Sequence, residues 1–453
     1  MIAMTLAEIA SCVQGTLVGN NVTVTGVSID TRALSAGDLY IAISGEQFDG
    51  HDFISQAEES GALAVLVAKK VVGKLPRIIV KDSRIALAEL AGAVRDKLQI
   101  KVCAITGSNG KTTVKEMIAA ILAVNYQVLL TAGNLNNDIG VPLTLLQLNE
   151  AHQFAVVEMG ANHIGEIAYS SHYAKPDVAL ITNVGAAHIE GFGSIKGVAQ
   201  AKAEIIQSLS ASGVAVLNAD DAFFAEWRAI AGQRKLISFG LKNTADVRAE
   251  KITLQLEGLQ FNTEFELVIA GRRVPINLAL AGEHNVINAL AAAAACLALG
   301  IEAKQIQRGL QQVKPVNGRL QLFESAAGVK IINDTYNANP ASLAVALEVL
   351  KKCAGERWFA LGAFGELGAE SAQLHSAMAE QIKQVGVKRL FVVGAMAENT
   401  VRTFGEGAVY YSRQEDLITA IQQTITKDIV LLVKGSRAQK MEVVVEALVN
   451  ETK

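Results

Sequence analysis

The sequence predicts an α/β protein of three domains, with a parallel-sheet, phosphate-binding (P-loop) domain at its centre. Three observations predict it. Apolar, β-branched runs alternate with amphipathic stretches along most of the chain, the pattern of parallel strands covered by helices. A glycine loop, Gly107-Ser108-Asn109-Gly110-Lys111-Thr112-Thr113, falls between one such run and a helical stretch. The 453 residues, 51% of them hydrophobic and 19% charged, suffice for several cores, at roughly 150 residues per domain.

Residues 1–83 read as a small α/β unit. Thr5 caps a short helix reaching Ser11, and strands follow at Val22–Ile29, Leu39–Ile43 and Ala64–Val67. The polar residues between them are Ser28, Asp30, Thr31, Arg32, Phe48, Asp49, Gly50 and His51. Arg32 has the fork that grips a diphosphate and Phe48 a face for a base. The ordinary alternative, a turn with a surface ion pair and a polar helix start, is favoured on the residues alone.

Residues 84–313 read as the largest domain. Strands are predicted at Val102–Thr106, Val128–Thr131, Phe154–Val157, Val178–Ile181, Val214–Leu217 and Leu236–Phe239. Ile252–Leu280 alternates with a period near two and predicts antiparallel strands. An alanine-rich helix follows, with alanine permitting close packing. The glycine loop separates Val102–Thr106 from Val114, Met117, Ile118, Ile121 and Leu122, which share one helical face. Glycines there let the backbone approach an anion, and the amides of the helix start point at it. Lys111 would reach the outer phosphates of ATP and Thr112 would hold Mg²⁺. The loop is shorter than the general pattern, with two residues rather than four between Gly107 and Gly110. Ligands collect at the carboxyl ends of parallel strands. The polar residues expected there are Asn134, Asn136, Asn137 and Asp138, then Glu158, then Asn183 with His188. Glu158 is placed like an acid that binds Mg²⁺. His188 and Lys202 are, on residue type alone, ordinarily a hydrogen-bonded histidine and a solvated lysine.

Residues 314–453 repeat the alternation, with strands at Val329–Ile332, Trp358–Leu361, Leu390–Val393, Val409–Tyr411 and Ile429–Val433. This predicts a doubly wound, Rossmann-like domain, with Pro315–Arg319 as a hinge. Its strand ends carry Asp334, Tyr336, Asn337 and Asn339, and Lys434, Ser436 and Arg437.

A net charge of −3 gives no basic footprint for nucleic acid. The longest apolar run, Ala289–Leu299, is shorter than the roughly 18 residues of a membrane span. No charged segment followed by an apolar core opens the chain, so no signal peptide is expected. Cys12, Cys103, Cys296 and Cys353 are widely spaced and predict reduced thiols in a cytoplasmic protein.

At these residues the chain resembles the Mur ligases. The resemblance spans the whole chain and rests on TGSNGKTTVKEM (106–117), AGNLNNDIGVPLTLL (132–146), VVEMGANHIGEI (156–167), NVGAAHIEGFGS (183–194), AKAEI (201–205), GEHNVINALAA (282–292), NDTYNANPAS (333–342) and VKGSR (433–437). It implies three domains: one for a uridine nucleotide, one for ATP, one that closes. It implies that Gly107 to Thr113 bind ATP, and that Thr112, Glu158, His188 and Lys202 serve Mg²⁺, Lys202 as a carbamate. His284, Asn285 and Asn288 would lie around the adenine, and Arg319 and Asp334 would bind the nucleotide from the C-terminal side. Tyr336, Asn337, Asn339, Lys434, Ser436 and Arg437 would line the cleft, and Ser28, Asp30–Arg32 and Phe48–His51 would take the uridine nucleotide.

Within the family, the Asn134–Asp138 run, EMGANHIGEI and VKGSR favour the member that adds D-alanyl-D-alanine to UDP-N-acetylmuramoyl-tripeptide, expected to act as a monomer. A folate-type polyglutamate ligase shares the phosphate loop but generally lacks the first domain. A nucleotide-gated binding protein would need fewer polar strand ends. One departure from the family pattern is Ala363, where relatives usually carry Asp.

Overall fold

The computed structural model describes residues 1–45, 47–185, 189–325, 327–365, 367 and 371–449. His188 therefore lies outside the described residues. Three main sheets follow one another along the chain. The first has five strands in the order Thr16–Val18, Arg77–Ile79, Ala64–Val67, Asp38–Ile41, Gly26–Ser28. All neighbours are parallel except the outer Thr16–Val18 pair. The helix at the start is Leu6–Cys12, with Thr5 and Glu8 forming a reciprocal capping box. The strand expected at Val22–Ile29 is two: Thr23–Val24 pairs with Met4–Thr5, and Gly26–Ser28 with Asp38–Tyr40. Two partners in different directions break the run.

The second sheet has nine strands. Lys101–Thr106 lies between Phe154–Glu158 on one side and Val178–Ile181 on the other, parallel to both. Val128–Leu130 flanks Phe154–Glu158 in parallel at one edge; on the other side Val214–Asn218 and Lys235–Phe239 extend the sheet in parallel, and Val247–Glu257, Gln260–Ile269 and Arg272–Leu278 complete it as an antiparallel meander. The strand order thus reverses at Lys101–Thr106, and a crevice opens beyond its carboxyl end. The helix Lys111–Ala123 packs against Glu283–Ala298, whose Ala289 to Ala295 are fully buried. The small alanine side chains of the second helix let it pack closely on the apolar face of the first, and the pair supports the loop from beneath.

The third sheet places Ile429–Lys434 between Lys330–Asp334 and Glu356–Gly362, with Arg389–Val393 and Ala408–Tyr411 outward, all parallel. Gln321–Glu324 adds an antiparallel edge that the sequence pattern did not announce, being only four residues long and half-buried. Among the described residues no helix is long and apolar enough to cross a membrane.

Candidate active site

The loop after Lys101–Thr106 enters its helix through Gly110. This residue has φ +83°, and a Cβ there would lie 2.5 Å from Asn288 Oδ1, so both conformation and space demand glycine. The amides of Ser108 and Asn109 donate to the Asn183 carbonyl (3.0 Å) and to Asn183 Oδ1 (3.0 Å). Thr182 Oγ1 and Asn183 Nδ2 in turn donate to the Asn109 carbonyl at 2.6 and 3.1 Å. The neighbouring strand's end therefore consumes these two amides. The donors left for an anion are those of Lys111, Thr112 and Thr113, which a helix start leaves without intrahelical partners. Asn183 and Thr182 are supports that sequence reasoning did not single out for this loop; their place at a strand end was the available signal.

Lys111 Nζ donates to the Gly107 carbonyl at 2.6 Å, folding its ammonium back over the loop. Burial holds its pKa below the ordinary lysine value; the charge of Glu158 opposes that, and Arg319 adds to it. One turn on, buried Lys115 donates to the Thr131 carbonyl at 2.6 Å and pairs with Glu116 at 3.2 Å.

Glu158 ends the strand beside the loop and is 2% exposed. Its amide donates to Thr131 Oγ1 (3.0 Å) and its Oε1 accepts from Asn136 Nδ2 (2.8 Å). Its Oε2 is buried with no hydrogen-bond partner among the described residues. A buried, half-satisfied carboxylate costs free energy unless a cation or donor completes it. Lys202, on the helix Ile195–Gln207, is buried, and its pKa is lowered to about 7, first by burial and then by the charge of Lys111. Glu204, two residues on, accepts from the amides of Gly165 (2.7 Å) and Ala168 (2.9 Å), so it caps the helix Glu166–Ala174. The segment Gly160–Asn162, which borders the same cavity, is held by the Asn136 carbonyl, which accepts from the Gly160 amide at 2.8 Å, and by Glu166 Oε2, which accepts from the Asn162 amide at 2.7 Å.

A cleft of about 1130 Å³ joins the second and third sheets. It brings together Gly107 to Thr112, Asn134, Asn136, Asn137, Glu158 and Lys202 from one side, and Arg319, Tyr336, Asn337, Asn339 and Arg437 from the other. Asn339 Nδ2 donates across it to Asn109 Oδ1 at 2.8 Å.

Other predicted residues lie elsewhere. Asn285 and Asn288 are buried behind the loop, with Asn288 Nδ2 donating to Asn285 Oδ1 at 3.1 Å. His284 stands at the start of the same helix, and burial brings its imidazole down to about 4. Asp334 and Lys434 form a buried pair at 2.6 Å at two adjacent strand ends. Ser436 Oγ donates to the Ala363 carbonyl at 2.7 Å, so the residue that replaces the usual Asp supports this turn through its backbone. Asp138 pairs with Arg84 at 3.1 Å.

In the first sheet's loops, Arg32 is 84% exposed on its side chain and gives its guanidinium to Asp30 at 2.7 Å, the surface ion pair favoured on the residues alone. Phe48 is 71% exposed. His51 is held between Asp49 Oδ1, 2.6 Å from Nδ1, and the Ala68 amide, which donates to Nε2 at 3.0 Å. The neutral ring therefore carries its proton on Nδ1. Ser44 and Lys69 share Asp49 with it. His51 borders a second cavity of about 490 Å³ with Ser44, Gly45, Lys81 and Arg84.

A phosphate loop at a topological switch point, facing a second doubly wound sheet across a cleft lined by charges of both signs, defines a nucleotide-using α/β enzyme. Three family descriptions match the chain in order: "Mur ligase family, catalytic domain" over residues 23–95, "Mur ligase middle domain" over 105–296, and "Mur ligase, glutamate ligase domain" over 318–437. The chain belongs to the Mur ligase family. It is 43% identical to the UDP-N-acetylmuramoyl-tripeptide–D-alanyl-D-alanine ligase of Escherichia coli, covering 99% of each. To the ligase of the same name from Haemophilus influenzae it is 38% identical over the full length of both. It superposes on MurF from Acinetobacter baumannii with a TM-score of 0.93 at 36% identity, covering 99% of each chain. The ADP complex of MurF from Thermotoga maritima matches with a TM-score of 0.83 at 29% identity, covering 94% of this chain and 97% of that one.

Proposed function

We propose that this chain forms an amide bond at the expense of ATP, adding D-alanyl-D-alanine to UDP-N-acetylmuramoyl-tripeptide in peptidoglycan precursor synthesis. The observation that carries the reading is the cleft between two sheets, with Lys111, Glu158 and Lys202 facing Arg319 and Arg437, in a chain matched over its full length by ligases of that name. Residues 84–313 serve ATP, 314–453 close over it, and 1–83 hold the uridine nucleotide beside the cavity that His51 borders.

A carboxylate is a poor electrophile. In the proposed reaction its oxygen attacks the γ-phosphorus of ATP, ADP leaves, and the resulting acyl phosphate is attacked by the dipeptide's amine with loss of phosphate. The amides of Lys111 to Thr113 and the Lys111 ammonium bind the phosphates and stabilise the charge that builds on them. Arg319 and Arg437 meet the same anion from the far side. Closure of the cleft excludes water that would hydrolyse the acyl phosphate. The orphaned Oε2 of Glu158 and the hydroxyl of Thr112 are the hard oxygen donors Mg²⁺ takes. With His188 they would hold Mg²⁺, which when bound supplies charge neutralisation for phosphoryl transfer. Lys202, with its pKa at about 7, is substantially neutral near neutrality. Its free amine adds to CO₂, losing a proton, and becomes a carbamate anion. That step would remove the repulsion with Lys111 and add an oxygen donor to the cleft that Glu158 also lines.

The experiment is phosphate release from ATP and Mg²⁺ with each of the two other substrates omitted in turn. Release requires both, and the product gains the mass of the dipeptide less water. Release indifferent to both would overturn the ligase reading and favour a nucleotide-gated binding protein.

A further inference from the structure

Arg319 is presented by an unusual turn. Gly318 has φ +71° and Leu320, a non-glycine residue, φ +49°, a conformation that a leucine holds only when its surroundings impose it. The surroundings are the end of the strand Lys330–Asp334. The Tyr336 amide donates to the Gly318 carbonyl at 3.1 Å, and the Leu320 amide to Asp334 Oδ1 at 3.3 Å. A Cβ on Gly318 would lie 3.0 Å from the Tyr336 nitrogen. The turn and Tyr336 are therefore locked together through the backbone, and their side chains meet. Arg319 Cζ lies 4.3 Å from the centroid of the Tyr336 ring. Arg437 Cζ lies 5.8 Å from the same centroid, and its Nη1 is held by Glu442 at 3.0 Å. The Arg319 Nε is buried and without a hydrogen-bond partner among the described residues. Arg319, Tyr336 and Arg437 all border the cleft.

Arg437 is paired with Glu442, whereas Arg319 makes no ion pair among the described residues. The negative face of the phenol ring attracts the Arg319 guanidinium and restricts its rotamers. We propose that Tyr336 is a positioning residue for nucleotide binding: its ring holds the Arg319 guanidinium in the cleft, so that the phosphates of ATP meet a cation already in place. The inference rests on the ATP-ligase reading but concerns a step, nucleotide binding, that is measured without turnover.

The test is ADP affinity by calorimetry, with KM for ATP and kcat alongside, on the full chain and on Tyr336→Phe, Tyr336→Leu, Arg319→Ala and the double variant Arg319→Ala/Tyr336→Leu. Tyr336→Phe keeps the ring and stays within about twofold of the wild type. Tyr336→Leu weakens ADP and raises KM for ATP by roughly 5- to 30-fold, the range for a partly desolvated cation–π contact. In the double variant the loss is no greater than for Arg319→Ala, because the ring acts through that arginine. Tyr336→Gln, a second ringless variant, serves the same comparison should the leucine variant fail to fold. Unchanged ADP affinity in the ringless variants would overturn the proposal. So would losses that add in the double variant. A phenylalanine variant as weak as the leucine one would show instead that the hydroxyl touches the nucleotide. A wild type that binds ADP but releases phosphate without the other substrates would remove the ligase reading and leave this coupling intact.

Discussion

Lys111 lies close enough to Lys202 for its charge to be felt there, yet their tasks differ. Lys111 donates to a loop carbonyl and borders the cleft; Lys202 is buried, with its pKa lowered to about 7. Replacing Lys111 by Ala removes one hydrogen bond and a burdened charge, so the fold persists, with a melting temperature within about 4 °C of the parent. Turnover falls by on the order of 10³-fold, as when one fixed donor to a developing anion is lost. Unfolding of that variant would assign Lys111 a structural task instead. For Lys202→Ala the expected outcome is near-complete loss of phosphate release, restored in part by added formate or acetate, which supply the missing carboxylate. Full activity without rescue would remove the carbamate. The role of Lys111 was readable from the glycine loop before it, but that of Lys202 was not readable from residue type, since a lysine on an amphipathic helix is ordinarily solvated. Burial and the proximity of a second cation set Lys202 apart.

The loop–helix element Gly107–Ala123 was legible because its parts are local: an apolar strand, two glycines, and an i, i+3, i+4 apolar face. What holds it came from afar. Asn183 takes the amides of Ser108 and Asn109, and Asn288 fills the space where a side chain at residue 110 would go. Gly110→Ala therefore faces both a positive φ and a collision. The expected result is a destabilisation of about 1–2 kcal/mol by denaturant unfolding, with loss of measurable ADP binding by calorimetry. Retained ADP binding would show that the loop's amides are not the phosphate site. The neighbouring Asn136 illustrates the opposite case. It was expected to face substrate, and it borders the cleft, but its amide also steers Glu158 by bonding Oε1 and leaving Oε2 free. Spacing shows that Asn136 and Glu158 both follow strands; it does not show which one orients the other.

Across the molecule, two histidines, His375 buried and His284 half-buried, link folding to acidity. Burial lowers the pKa of His284 to about 4, and that of His375 below its usual value. His375 Nε2 accepts from the Phe364 amide at 3.2 Å, and its Nδ1 lies 2.8 Å from the Ser371 carbonyl, so the neutral ring bears its proton on Nδ1. Both groups bind protons more readily when unfolded, where a histidine titrates near about 6.5. Their contribution is thus fully present above that value and is lost as pH falls toward the folded pKa. The expected outcome is a urea midpoint that drops between about pH 6.5 and 4, with the drop reduced in His375→Gln. A midpoint flat over that window would contradict the buried, neutral assignment. The loop that His375 supports, through Phe364, leads to Gly365 and Leu367 at the rim of the cleft. Acid unfolding and loss of the site are expected to run together.

Periodicity in the chain carries the α/β class, the number of sheets and most strand positions, because a buried parallel strand is a contiguous apolar run whose identity is local. The short strands Thr16–Val18, Arg77–Ile79 and Gln321–Glu324 escaped that reading, since pairing with a neighbour, not their own pattern, makes them strands. The phosphate loop and the acid at the next strand end were legible for the same local reason. Tertiary structure alone decided how these groups meet: that Glu158 keeps one bare oxygen, that Lys202 is buried near Lys111, and that Arg319 lies on Tyr336. Burial and the distance between charges are properties of the packed chain, and both vanish when the same residues are written as a line.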